Sequence, residues 1–432
     1  MLKALTAPQR LAIDNERCVS ILASLAALAG TAPLAFEGGG GGSSEGRGVK
    51  AIRFALETVI LGKRGSSILN MSTNDDDDST EKDAEAPKLS AKAKAAAEKK
   101  LATDRIVAAI ELLVAHIRSL PKYEMASKGG DISVEDGDVS SSHHCRTVFG
   151  VLVRILEEDG LPPSPRDRQL CKDSASRAAI RKAAGTGLIQ LCEPSKQRDC
   201  FLDVRGWHTL GKIFCDSNAD ARESAVEQLS MMVTGQGSFS KVAPNLRFLS
   251  YVVLCADADG VSGNVSAANG GAANIGKRSS AGRAAALQCV KNLRNTCDAY
   301  LLQCKARGND GEQMFENHIK PITMPEFALP YALHLLAFRK ETPTISEDSG
   351  AVGTENSYKQ LRRRMKWLLE PLIQSLGDQA DNISFLLRMT ELIANSFDCA
   401  ELATDDEDAP KGSEGTEKLQ TVCRAARECL LK

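Results

Sequence analysis

The chain has 432 residues, a formal net charge of −2 and only 4% aromatic residues. With 54 Lys and Arg against 56 Asp and Glu, the bulk charge excludes a strong overall attraction to nucleic acids or anionic membranes. It does not exclude local basic patches. Ala and Leu are plentiful and β-branched runs are scarce, which favours helices over strands. The 13 cysteines include no Cys-x-x-Cys pair and are typical of buried thiols in a reducing compartment, not of a disulfide framework.

The first apolar run, Cys18–Phe36, carries no charge and raises the question of a signal peptide or a membrane span. Three features weigh against both. Asp14 and Glu16 precede the run, its composition is heavy in Ala, Ser and Thr, and Pro33 interrupts it. We therefore expect a buried helix here and a soluble intracellular protein.

Polar and Gly-rich stretches separate the amphipathic segments and predict the domain organisation. We expect weak N-terminal helical repeats over 1–70, an acidic disordered linker over 71–87 and a helical-repeat domain over 88–432. The linker contains the run Asp75–Asp78, which cannot pack into an apolar core. Four low-complexity inserts are predicted within the larger domain, at 128–142, 257–280, 341–356 and 403–416.

A helical motif recurs along the chain. The pattern Arg-x-x-Ala-x-x-x-Leu/Val begins at Arg181, Arg222 and Arg283. The first two copies are 41 residues apart and the third follows after 61, an excess of 20 residues that is about the size of the insert at 257–280. A period near 40 residues with two helices per unit is typical of HEAT and armadillo repeats.

The motif has a physical interpretation in such repeats. The central Ala lets two helices approach closely, and the aliphatic residue one turn later fills their shared core. The Arg can lie over a helix end or form a ladder with neighbouring repeats, and an Asp or Asn before each second helix can cap it. The predicted fold is therefore an all-α, HEAT/armadillo-like α-solenoid of stacked helical hairpins with disordered low-complexity inserts.

Motifs for catalysis or cofactor binding are weak. The segment Gly270–Ser280 approaches a P-loop, but Arg278 replaces the Ser or Thr that would hold magnesium. His143, His144 and Cys145 are adjacent, which is a poor geometry for chelation, and they are better explained as a loop leading into a helix. The sequence shows no nucleophile elbow and no zinc-protease motif. We therefore predict no enzymatic activity, no cofactor and no metal site.

Basic clusters are the best candidates for contact with a partner. Each is either a solvated helix face or a patch for an acidic peptide, a phosphate or the DNA backbone. The members are Arg177, Arg181 and Lys182 in one helix, and Lys359, Arg362, Arg363, Arg364 and Lys366 in another. Trp207 and Trp367 are predicted to be core anchors more than binding residues.

An ordered set of segments resembles the cohesin-associated "precocious dissociation of sisters" family. The most specific is MPEFALPYALHLLAF at Met324–Phe338. The others, over about 170–432, are Ala183–Ser195, Asn245–Asp259, Leu361–Ile373, Asn382–Ile393 and Thr416–Leu431. The resemblance is to the C-terminal part of that family's HEAT solenoid.

The resemblance implies a function in regulating cohesin, the ring that holds sister chromatids together. It implies a scaffold that binds the kleisin subunit along the solenoid and serves cohesin release and establishment factors. Such a protein is expected in the nucleus, associated with chromatin indirectly through protein partners, with no membrane contact and no small-molecule substrate. The alternative is another HEAT-repeat adaptor, such as a phosphatase scaffold or a transport factor.

Overall fold

In a computed structural model, the chain is mainly helical over the residues that the structure describes. The regular elements of these residues are α-, 3₁₀- and π-helices, without a strand among them, so the predicted all-α fold class is confirmed. The described residues are 16–32, 51–62, 91–120, 136–193, 198–234, 246–261, 272–320, 324–339, 342, 352–373, 382–396 and 414–431.

The first of two units comprises residues 1–192, 196–202 and 218–221. Its helices are α1 (Glu16–Thr31), a π-helical segment (Phe54–Ile60), α2 (Ala91–Ser119), α3 (Asp136–Glu157), α4 (Pro165–Leu170), α5 (Ser174–Leu191) and a 3₁₀ segment (Arg198–Phe201). Helix α2 is central, since α1, α3, α4, α5 and the π-helical segment all pack against it. Helices from both sides of the predicted linker 71–87 thus share one unit, while the linker itself lies outside the described residues.

The uncharged run near the start of the chain supplies the core face of α1. Cys18, Leu22, Leu25 and Ala29 recur at three- and four-residue intervals and are buried where α1 packs against α2. This agrees with the predicted buried helix, whose last residues, 33–36, lie outside the described part. Among the described helices, none combines the length and the apolar character that crossing a bilayer requires.

A buried ion pair joins α2 to α4. Arg105 Nη2 donates to Asp167 Oδ1 at 2.5 Å, and both side chains are at most 5% exposed. Helix α4 places the carboxylate there because the Ser164 hydroxyl caps its first turn by accepting from the Asp167 backbone N–H.

The second unit comprises residues 193–195, 203–217 and 222–432. Its helices are α6 (Val204–Gly211), a 3₁₀ segment (Lys212–Cys215), most of α7 (Ala219–Thr234), α8 (Leu246–Val261), α9 (Ala272–Lys305), α10 (Asn309–Met314), a π segment (Phe315–Ile319), a 3₁₀ segment (Pro325–Ala328), α11 (Leu329–Ala337), α12 (Val352–Ile373), α13 (Ile383–Ala394) and α14 (Glu414–Leu430). Helix α8 packs against α9, α11 and α12, while α14 packs against α11, α12 and α13.

The recurring motif behaves as its spacing predicts. Its central Ala and the following Leu are fully buried in α5 (Ala184, Leu188) and in α7 (Ala225, Leu229). In the third copy Val290 is buried. The predicted caps also form. Asp173 Oδ1 accepts from the Ser176 N–H at 2.9 Å, and Asn218 Oδ1 accepts from the Ala221 N–H at 3.0 Å.

The Arg of the motif lies over the end of the preceding helical segment. Arg181 Nη1 donates to the backbone oxygen of Asp159, two residues beyond α3, at 3.2 Å. Arg222 Nη1 donates to the backbone oxygen of Asp216, directly after a 3₁₀ segment, at 2.6 Å. Both carbonyls lie just beyond the end of a helical segment, and in each case the guanidinium of the motif Arg donates to the carbonyl oxygen.

Helices extend into all four predicted inserts, which corrects their boundaries. Helix α3 begins at Asp136, α12 at Val352 and α14 at Glu414. The insert at 257–280 is shortened from both sides, because α8 continues to Val261 and α9 begins at Ala272. Polar or Gly-containing composition therefore does not by itself prevent a helix at these ends. The remaining insert residues lie outside the described part, and the domain division stays a prediction.

A buried imidazole in the first unit predicts a loss of stability in acid. His116 is 5% exposed, and burial, aided by His144 and Arg198, lowers its pKa to about 4. Because the unfolded chain keeps the ordinary value of about 6.5, it binds a proton between these two pH values while the folded chain does not. The free energy of unfolding should therefore fall by up to about 3 kcal/mol as the pH falls from about 6.5 to about 4.

Urea unfolding at both ends of this pH range, for the wild type and for His116→Phe, measures that contribution. The variant removes the titrating group and should show a shallower pH dependence than the wild type. Equal pH dependence in the two proteins would contradict the assignment to His116.

Candidate protein-binding groove and basic surface

An open groove of about 840 Å³ lies along one face of α9 in the second unit. Leu287, Val290, Arg294, Cys297 and Leu301 line it at three- and four-residue intervals, so they share one helix face. These residues span about 21 Å at the rise of an α-helix. The opposite wall is mostly apolar and comprises Phe315, Met324, Pro325, Pro371 and Phe385.

A buried polar network forms the floor of the groove. Glu326 is fully buried, and its Oε1 accepts from Arg294 Nη1 at 2.6 Å and from Asn382 Nδ2 at 3.0 Å. Arg294 Nη2 and Asn382 Nδ2 also donate to the backbone oxygen of Leu372, at 2.6 and 2.9 Å. That oxygen is available because Leu372 lies in the last turn of α12. The network therefore fixes the ends of α12 and α13 against α9.

Three polar atoms of this floor have no hydrogen-bond partner in the described part of the chain. They are Glu326 Oε2, Asn382 Oδ1 and Arg294 Nε. Because an unpaired buried polar atom costs free energy, these three atoms offset part of the stability that the network contributes.

The rim of the groove carries charges of both signs. Lys291 and Asp298 are exposed on α9. Across the groove, Lys320 Nζ pairs with Glu316 Oε2 at 2.7 Å. A mostly apolar interior with a mixed charged rim is typical of protein-binding grooves.

The first predicted basic cluster, in α5, is engaged within the protein. Arg177 Nη1 and Arg181 Nη1 donate to the two carboxylate oxygens of Asp159, at 2.7 and 3.0 Å. Lys182 Nζ contacts Asp220 Oδ2 at 2.9 Å. These three cations thus link α5 to carboxylates near the end of α3 and at the start of α7. The sequence did not reveal these ion pairs, because the carboxylates are 18 to 38 residues away from the cations. Their role in binding a partner stays a prediction.

The second predicted basic cluster, in α12, divides into two sets. Arg364 is buried, and Arg362 Nε pairs with Glu428 Oε2 of α14 at 3.2 Å. The Tyr358 hydroxyl donates to the same carboxylate, and burial with this neighbour raises the pKa of Tyr358 to about 12. The other three residues, Lys359, Arg363 and Lys366, are exposed.

A cluster of aromatic and imidazole rings, which sequence reasoning did not predict, joins α6 to α11. Trp207 is 5% exposed, as its predicted role of core anchor requires, and packs against Tyr331 at 5.8 Å between ring centroids. Phe338 lies 4.2 Å from the His208 ring and 4.8 Å from the His334 ring, and is 43% exposed. The sequence signal for this cluster was the spacing of Tyr331, His334 and Phe338. They are three and four residues apart, which places them on one face of α11 and its C-cap.

The sequence motifs for chemistry are not supported by their local structure. Gly276 and Lys277 lie within α9, whereas a P-loop holds phosphate in a loop ahead of its helix. His143 and His144 lie within α3 and not in a loop, which corrects the predicted setting. In the described residues no three His, Cys, Asp or Glu side chains come together as a metal site.

Stacked helices, a mostly apolar groove and exposed cations define a helical-repeat protein suited to binding other macromolecules. The model of the family "Sister chromatid cohesion protein PDS5" matches residues 2–407. The chain belongs to this family, which is HEAT-like and acts in sister chromatid cohesion. The match begins far before the 170–432 range on which the sequence resemblance depended, and it ends at residue 407, ahead of the segment Thr416–Leu431. A search of curated proteins found no match.

Proposed function

We propose that the chain is a non-enzymatic cohesin scaffold that binds the kleisin subunit and cohesin release and establishment factors. Family membership supports the cohesion function, and the groove along α9 is the single structural observation that carries the binding proposal. We place the protein in the nucleus, on chromatin, because cohesin acts there.

The groove suits a helical segment of a partner with an apolar stripe. Its 21 Å length accommodates about 14 helical residues. Its apolar walls supply the buried contact area that dominates affinity, and the charged side chains of its rim can orient the partner.

Two neighbouring leucines of α9 allow a matched test. Leu301 lines the groove, whereas Leu302 is 70% exposed and is not among the lining residues. Leu301→Asp should weaken binding of the kleisin middle region by roughly tenfold or more, because it places a charge among apolar contacts. Leu302→Asp should change the affinity by less than about twofold. Fluorescence anisotropy with the labelled kleisin region measures both, and circular dichroism confirms that each variant is folded.

Two results would count against the proposal in different ways. If the wild-type chain does not retain the kleisin region at micromolar concentration, the kleisin-binding function fails. If Leu301→Asp binds as tightly as the wild type, the kleisin subunit binds at another surface. Affinity purification that recovers phosphatase or nuclear-pore proteins without cohesin subunits would favour the adaptor alternative.

A further inference from the structure

Six charged side chains of the described residues line the groove along α9, and four of them neutralise one another. Arg294 pairs with Glu326 in the buried floor, at 2.6 Å. Lys320 pairs with Glu316 on the wall opposite α9, at 2.7 Å. These two pairs leave no net charge, so the sign of the charge along the groove depends on the remaining two side chains.

The remaining two side chains are Lys291 and Asp298 of α9. Both are exposed, and neither forms an ion pair with any residue that the structure describes. They are seven residues apart, which places them on the same edge of the helix, about 10.5 Å from each other along its axis. Asn295, which lies between them on that edge, is uncharged. One rim of the groove therefore carries one positive and one negative charge at a fixed separation.

The two charges lie beside different parts of the groove. Asp298 is adjacent to Cys297, which packs with Phe315 in a small apolar cluster. Lys291 lies about one turn before Arg294, whose guanidinium belongs to the polar floor. A separation of about 10.5 Å is close to the Debye length at about 0.1 M ionic strength, so each charge acts mainly on the ligand atoms next to it. A bound segment therefore meets opposite charges at two points along its length.

On the basis of the proposed function of the groove, we infer that it selects a helical partner segment with one acidic and one basic residue seven positions apart beside the apolar stripe. Two residues seven positions apart on a helix have the same spacing as Lys291 and Asp298. A helix along α9 thus brings its acid to Lys291 and its base to Asp298 at the same time. A helix with two acids or two bases at these positions meets a like charge at one point, whichever way it runs.

The test uses the full chain and two fluorescently labelled peptides of about 14 residues. Both carry a leucine stripe at helical spacing and a cross-link that holds the helix. Beside the stripe, one peptide has Glu and Lys seven positions apart, and the other has Glu at both positions. The wild-type chain should bind the Glu/Lys peptide about fivefold more tightly, because the second Glu of the other peptide meets Asp298. The difference should fall below about twofold at about 1 M salt, where exposed charges are screened.

Two substitutions of one rim residue assign the preference to its charge. Asp298→Lys should reverse the preference, so that the Glu/Glu peptide binds more tightly, and Asp298→Asn should bind the two peptides equally within about twofold. The control Glu391→Lys makes the same change in net charge as Asp298→Lys, on an exposed residue of α13 that does not line the groove. It should keep the wild-type preference. Circular dichroism confirms that each variant is folded.

Two results would overturn the inference. One is equal affinity of the wild-type chain for the two peptides at low salt. The other is an unchanged preference in both Asp298 variants, which would assign it to charges outside the groove. Either result leaves the groove able to bind the kleisin region through its apolar walls, which the Leu301→Asp comparison tests separately. Binding of neither peptide would instead count against the groove as a site for helices, and thus against the proposed function as well.

Discussion

Replacing Ala184 with arginine is expected to lower the free energy of unfolding by about 4 kcal/mol. Ala184 is the central Ala of the recurring motif and is fully buried in α5, which packs against α2 and α3. The close approach of α5 and α2 is seen one turn further along α5, where a Cβ added at Gly187 would lie 2.8 Å from Val114 Cγ2 of α2. Arginine at position 184 forces both volume and charge into this contact. Urea unfolding followed by circular dichroism measures the loss.

The same helix supplies the matched control. Ala175 is exposed in the first turn of α5, so Ala175→Arg makes the same chemical change outside the core. It should cost less than about 1 kcal/mol, mainly from a cation near the helix N-terminus. If Ala184→Arg unfolds at the wild-type urea concentration, the assignment of the motif to a shared helix core is wrong.

Removing the carboxylate of Glu326 is expected to cost roughly 3–5 kcal/mol. Glu326→Ala leaves the Arg294 guanidinium, whose side chain is 12% exposed, without its counter-charge and removes an acceptor from Asn382. A buried charge without a partner is far more costly than the loss of an exposed pair. Thermal and urea unfolding of the full chain report the effect.

A second ion pair of the same unit provides the comparison. Glu316 pairs with Lys320 at 2.7 Å, but its side chain is 57% exposed, so Glu316→Ala should cost less than about 1 kcal/mol. The double variant Arg294→Met, Glu326→Leu should be more stable than Glu326→Ala, because it removes both buried charges together. If both glutamate variants lose the same small amount of stability, the buried network does not hold this part of the unit.

Local signals accounted for the helices, their caps and their buried faces. Asp173 and Asn218 were predictable because a cap bonds to an N–H only three residues away. The burial of Ala184 and Ala225 followed from the repeated motif. Boundaries were less predictable, as at Ala272, where α9 begins inside a predicted insert. The composition of a segment gives only its average preference for the helix, while packing against other helices decides at which residue the helix begins or ends.

The fate of the charged side chains was not readable from the sequence. Arg181, Arg362 and Lys366 stand in similar basic runs, yet the first pairs with Asp159, the second pairs with Glu428 and the third is exposed. The partners are 22 and 66 residues away in sequence, so only the packing of helices brings them together. The sequence identified the cations, and the tertiary structure separated those that stabilise the protein from those that face solvent.

By itself the sequence determined an all-α chain with a repeat near 40 residues and a family of cohesion proteins, because periodicity, capping and motif order are properties of neighbouring residues. Only the tertiary structure decided the groove and which basic side chains of α12 face solvent. The groove combines residues from Leu287 to Phe385, and the network of Arg294, Glu326 and Asn382 joins three distant helical segments. Such sites depend on which helix faces meet, and no local pattern encodes that meeting.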